Sequence, residues 1–176
     1  MPSPVAHALA GIAAGWLIAP PRQGSGSQLA GRAAAFAAAA LAPDLDLLIG
    51  THRGPTHGLG AAVLVGALVW LVRSSGLTSK NDAARVGCAA ALAYASHTLL
   101  DWLGSDSSPP IGVMALWPLT RDYYESNLHV FMAISRRYWL PEFWTYNLRA
   151  VLRELLILGP PFALIMALRW RRSTGR

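Results

Sequence analysis

From Gly58 to Val72 the chain runs through apolar residues without interruption. A helix that is apolar on every face must be either enclosed by protein or turned towards lipid. A chain of 176 residues is too small to enclose several such helices. At ~1.5 Å per residue the run is about 22 Å long, short of a ~30 Å hydrocarbon core, so a tightly packed soluble bundle is the competing reading. Chain size decides for the membrane.

Further apolar runs, punctuated by Gly, Pro and Ser, predict an all-α fold. The expected architecture is an up-down bundle of about five main helices, embedded in a membrane, with no convincing strand and no internal repeat. Ser3-Pro4 reads as an N-cap followed by proline at the first helical position, opening a helix that runs to about Ile18. Arg22–Gln28 reads as a flexible loop, and an alanine-rich second helix must end at Pro43. Thr56 is the expected cap of the third helix; Ser79 or Asn81 caps the fourth, which ends near Leu103 with Gly104 as its C′ residue. A fifth covers Leu155–Leu168 and closes on Arg169, Arg171 and Arg172. The expected organisation is one domain over 1–176: a four-helix core (1–104), an aromatic connecting segment with short helices (105–154) and a C-terminal apolar helix (155–172).

Composition narrows the function classes. Hydrophobic residues make up 53% and charged residues 14%, which excludes a disordered, solvating chain. One cysteine, Cys88, excludes a disulfide framework and any multi-cysteine zinc ribbon, so a metal must sit on His, Asp and Glu. The net charge of +6 raises the question of nucleic acid, but the arginines sit singly at the ends of apolar runs, as membrane-end anchors do. No secretory signal is expected, because Met1–Pro4 lacks a basic region and His7 interrupts the first apolar run.

The informative polar residues are few, and they fall in one place. His7 lies near the start of the first helix, Asp44 and Asp46 just past the second, His57 at the opening of the third, and Asp101 in the last turn of the fourth. In an up-down bundle with short loops these are all at one end. His52 lies in the same connecting loop, and Gly54-Pro55 can turn that loop back so that His52 and His57 face one site. His97 and Asp101, four apart, share a helical face with Cβ atoms ~5–6 Å apart, close enough to share a metal. A carboxylate at a helix C-terminus is electrostatically misplaced unless a cation answers it, and a helix N-terminus keeps His57 neutral, the ligating form. Each residue has a plainer role open to it: His7 as a satisfied core histidine, Asp44 and Asp46 as turn formers, His52-Arg53 as a basic loop.

The segments Pro43-Asp44-Leu45-Asp46, His52-Arg53-Gly54-Pro55-Thr56-His57 and Ser96-His97-Thr98-Leu99-Leu100-Asp101-Trp102 resemble the LexA-binding, inner-membrane, metal-dependent hydrolase family. The opening Met1–His7 and the stretch from Pro109 to Pro118 are similar too, and the resemblance thins after about Leu148. That family is distantly similar to the zinc-dependent phospholipase C and S1/P1 nuclease group. The resemblance implies His7, Asp44, His57, His97 and Asp101 as metal ligands, with Asp101 able to bridge two ions. The chain lacks the group's further downstream histidine cluster, so one or two ions are expected rather than three.

Nitrogen and oxygen donors without thiolate suit zinc, and also manganese or iron. The leading expectation is a membrane-bound hydrolase acting on phosphoester bonds of an amphiphilic or lipid-like substrate through metal-activated water. Asp46 is the candidate general base or the residue that orients a ligating histidine; Arg53 either holds an anionic substrate group or is an exposed loop arginine. Glu125 and His129 either extend the site or form a surface pair. Trp117, Tyr123, Tyr124, Tyr138, Trp139, Trp144 and Tyr146 suit the headgroup level of a bilayer, although a soluble core or a lid would also use them. Arg22, Arg32, Arg73, Lys80, Arg85 and the basic tail flank the opposite end, which makes that end cytoplasmic and the metal face external. The alternative is a non-catalytic membrane protein with a structural or regulatory metal site and an unidentified protein partner, distinguished by a closed ligand shell. A metal transporter would need polar residues continuing through the bundle, and the other end has none.

Overall fold

The computed structural model describes residues 1–20, 26–50, 52–76, 78–106 and 108–174. Five α-helices form within them: α1 (Pro4–Ile18), α2 (Gly26–Leu41), α3 (Leu59–Ser74), α4 (Lys80–Leu103) and α5 (Phe143–Thr174). Two 3₁₀ segments, Ala42–Ile49 and Pro55–His57, link α2 to α3. The described residues contain no strand, only isolated bridges between Gly104 and Phe131 and between Val113 and Tyr124.

Helix α4 is the hub, touching α1, α2 and α3. Its contacts are made by small side chains, with Ala83, Gly87, Ala89, Ala90 and Ala93 all buried. The backbones approach so closely that a Cβ added at Gly66 of α3 would lie 2.7 Å from the Ala91 Cβ, and one at Gly11 of α1 would lie 2.3 Å from the Ala40 Cβ. Small residues at the seam are what let the helix backbones come this close. At the bundle end away from the histidines, Trp16, Phe36, Ala89 and Ala93 form the core, and Phe162 of α5 packs its ring 6.4 Å from Trp16.

The ends of the elements show where local chemistry decides. Ser3 caps α1 as its sequence predicts, its Oγ accepting from the Ala6 N–H, and Ser79 rather than Asn81 caps α4. Thr56 does not cap α3. The first N–H groups of that helix are taken by main-chain carbonyls of the connecting segment, Leu59 by Ala115 and Gly60 by Trp117, both at 2.9 Å. Helix α4 stops at Gly104, which is extended rather than left-handed because it bridges to Phe131.

Two expected boundaries are corrected. Of the loop Arg22–Gln28, residues 26–28 are already helical, and Arg22 lies outside the described residues. The fifth helix starts at Phe143, not Leu155, and takes in the last part of the connecting segment. The remainder of that segment, residues 105–142, carries no short helix among its described residues. It lies over the histidine end as irregular chain.

Helix α5 runs beside α1 in the same direction, with Glu154 at Ser3 and Phe162 at Trp16. Among the described helices its backbone comes close to α1 alone. Within Phe143–Leu168 an 18-residue window has a mean hydropathy of 1.8 and is barely buried, and by length and composition α5 is the one described helix able to cross a membrane. At 26 residues that stretch reaches about 39 Å, whereas α1 and α3 are shorter apolar helices.

Candidate metal centre

The up-down path brings the starts of α1 and α3 and the ends of α2 and α4 to one end of the bundle, and His7, His57, His97 and Asp101 meet there with negligible exposure. The rings of His7 and His97 stack with centroids 3.8 Å apart, and His57 stands edge-on to His97 at 4.8 Å. Asp44 enters from the 3₁₀ segment after α2, its side chain 26% exposed.

The spacings between ligating atoms are telling. His57 Nε2 lies 3.5 Å from Asp44 Oδ1 and 3.6 Å from Asp101 Oδ2; His97 Nε2 lies 3.6 and 3.2 Å from the same two oxygens. His7 Nε2 lies 3.4 Å from the other oxygen of Asp101. These distances are long for hydrogen bonds. They suit atoms ringed about an ion, since two ligands ~2.05 Å from zinc at the tetrahedral angle stand about 3.3 Å apart. Nine buried side-chain polar atoms lack a hydrogen-bond partner among the described residues, and seven of them belong to His7, Asp44, His57, His97 and Asp101. Buried polar atoms are almost always paired, so orphans gathered at one point fit a cation. Three overlapping groups could hold one: His7, Asp44 and His97; Asp44, His52 and His57; and His57, His97 and Asp101.

The groups behind these histidines fix their tautomers. His97 Nδ1 donates to the Ala40 carbonyl at 2.7 Å, which leaves Nε2 as the free lone pair. His57 Nδ1 faces Asp46 Oδ2 at 3.3 Å and Thr56 Oγ1 at 3.1 Å, the carboxylate–histidine arrangement that raises ligand basicity. Asp46 is fully engaged. It accepts from His52 Nδ1 at 2.8 Å on Oδ1, and from Thr56 Oγ1 at 2.8 Å and the Arg53 N–H at 3.2 Å on Oδ2. Between the two roles open to it, the geometry favours orienting the histidines. Burial alone would raise the Asp44 carboxyl, but the His57 imidazole and His97 outweigh it and hold Asp44 below the ordinary carboxylate range.

His52 and Arg53 sit at the edge of the cluster. His52 has both ring nitrogens in contact, Nδ1 with Asp46 and Nε2 with Met1 Sδ at 2.9 Å, and its ring is 5.1 Å from that of His57. Arg53 is neither exposed nor free for an anion. Its guanidinium is paired with Asp106 and donates to the carbonyls of Ser108 at 2.8 Å and Pro110 at 2.7 Å. Its φ of +67° is a conformation few non-glycine residues adopt, held by its N–H on Asp46 and its carbonyl on the Met114 N–H. Glu125 and His129 form a pair at 3.8 Å with His129 exposed, in none of the ligand groups.

Sequence reasoning missed several supports. Thr98 Oγ1 donates to the His57 carbonyl and Tyr94 Oη to the Thr56 carbonyl, both at 2.7 Å. The spacing Tyr94, His97, Thr98, Asp101 is one face of a helix and carries the signal in plain view. Glu154, 1% exposed, accepts from both the N–H and the Oγ of Ser3. Its signal is a lone acid in an apolar helix.

Fold and site together define an all-helical protein with a buried histidine–carboxylate cluster at one bundle end and an exposed apolar helix along its side. The chain belongs to the YdjM inner membrane protein family, whose model matches residues 1–172, which places it in the inner membrane. No curated protein and no solved structure matches it.

Proposed function

We propose that this protein is a membrane-bound, metal-dependent hydrolase of phosphoester bonds, with His7, Asp44, His57, His97 and Asp101 as ligands of one or two divalent ions, zinc foremost. The reading rests on the seven unpartnered polar atoms gathered from four elements. A bound ion there supplies Lewis acidity and makes a water acidic enough to attack at neutral pH. Asp46 and the Ala40 carbonyl hold His57 and His97 with Nε2 inward. Asp44, partly exposed, would leave the centre accessible to water on its side. Arg53 acts through position, tying the Asp46 loop to the 105–111 segment by its pairing with Asp106. The LexA-binding hydrolase resemblance and the more distant one to phospholipase C belong to this reading, as does a multi-pass chain with the metal face external. Consistent with that topology, Arg73 and Lys80 lie at the helix ends away from the histidines, and Arg85 donates to the Ile18 carbonyl there.

A non-catalytic metal site is the second reading, favoured by one observation. His57, His97, Asp44 and Asp101 Oδ2 alone make four contacts of 3.2–3.6 Å, enough for a closed tetrahedral shell. Against closure, His7 and Asp101 Oδ1 remain as an additional donor pair. Elemental analysis of purified protein, with hydrolysis of a soluble phosphodiester, separates the two. The hydrolase reading expects about one to two ions per chain and activity that falls by ~10²-fold or more in His97→Ala. Stoichiometric metal with no hydrolysis of any phosphoester favours the structural site, and no metal at all sinks both.

A further inference from the structure

Beside the centre lies a cavity of about 780 Å³, lined by residues from the His52 loop, the 105–110 segment and residues 133–146. His52 joins the two, since it lines the cavity and stands 5.1 Å from the His57 ring. Its lining combines charged and apolar side chains. Of its five formally charged lining residues, Arg53 and Asp106 neutralise each other, which leaves Arg136 and Arg137 against Glu142. Arg136 Nη2 points at His52 Nε2 at 3.5 Å, and neither Arg136 nor Arg137 pairs with a carboxylate among the described residues. Leu140, Phe143 and Tyr146 line the same cavity with apolar and aromatic side chains.

The same residues set the level of the cavity. Phe143 begins the one described helix long and apolar enough to cross a membrane, and its continuously apolar part starts only at Leu155, so the cavity lies at the polar, headgroup end of that helix. Tyr138, Trp139 and Trp144, interleaved with the lining residues, turn outward with 66–78% exposure. Exposed aromatic rings flanking a span are a headgroup-level belt. A free anion has no use for the apolar wall, and a neutral lipid has none for the arginines.

We propose that this cavity binds an anionic amphiphile from the bilayer surface: Arg136 and Arg137 take a phosphate-type head group, and the Leu140–Phe143–Tyr146 wall takes the start of its chain. As the substrate of the hydrolase the amphiphile rests on the preceding reading, but its binding needs no ion. The test is calorimetric titration of the purified full-length protein, and separately of its His97→Ala variant, with soluble short-chain phosphatidate, short-chain phosphatidylcholine and inorganic phosphate. Phosphatidate is expected to bind both proteins. Arg136→Ala with Arg137→Ala should weaken it by about tenfold or more, and the corresponding Lys pair should recover most of the loss. Phosphatidylcholine and inorganic phosphate should each bind more weakly than phosphatidate by a similar factor. Unchanged phosphatidate affinity in the Ala pair, or inorganic phosphate binding as tightly as phosphatidate, overturns the proposal. Arginine-dependent binding without hydrolysis overturns the catalytic reading and leaves the cavity's role standing.

Discussion

At His97 a backbone carbonyl decides what an imidazole can do. The Ala40 carbonyl accepts the Nδ1 proton, so the lone pair is on Nε2, aimed at Asp44 and Asp101. Asp46 does comparable work for His57 and also for His52, without facing the centre itself. Asp46→Asn therefore keeps every ligand while weakening their orientation, and metal affinity should fall ~10–100-fold in a chelator competition. Retained affinity would assign Asp46 to the loop alone. His7, His97 and Asp101 were legible in the sequence because ionisable residues in apolar helices stand out. Arg53 was not, since nothing in a loop sequence announces that its guanidinium is consumed by Asp106, far downstream in the chain.

Among the elements, α1 and α4 were readable nearly to the residue, because Ser3-Pro4 and Ser79 are local start signals acting on their own chain, although the Gly104 end of α4 is shaped by its bridge to Phe131. The start of α3 was not, since its first donors are satisfied by carbonyls of residues 115 and 117, which only the fold brings near. The start of α5 was missed for another reason. Its first turns, Phe143 to Arg153, are aromatic and polar rather than continuously apolar, and hydrophobic pattern alone delays the helix to Leu155. That delay hid Glu154, which closes the α1–α5 seam at Ser3. Glu154→Gln removes the charged acceptor from a buried pair and should cost about 1–3 kcal/mol, read as a lower unfolding temperature in detergent. Because Ser3 caps the helix that carries His7, the variant should also bind metal more weakly. A fall in stability with metal affinity untouched would limit Glu154 to holding the helices together.

For the whole molecule, the buried His7, His57, His97 and Asp101 gathered at one end are a burden unless something answers them. An ion that binds only the folded arrangement adds stability by mass action, so chelator treatment should lower the unfolding temperature, and zinc added back should restore it in a concentration-dependent way. An unfolding temperature indifferent to chelator would remove the ion from the account of the fold. The bundle end was predictable as a meeting place because an up-down path with short links has only two ends. The cavity beside it was not, because it is built by residues 105–142, whose irregular path no periodicity encodes.

The 3₁₀ segment Ala42–Ile49 turns Asp46 inward while Leu45, Leu48 and Ile49 are more than half exposed. A carboxylate that orients two imidazoles is thus mounted on the reverse of a greasy outer surface. Between whatever covers that outer surface and the two imidazoles there is thus only the thickness of one short segment.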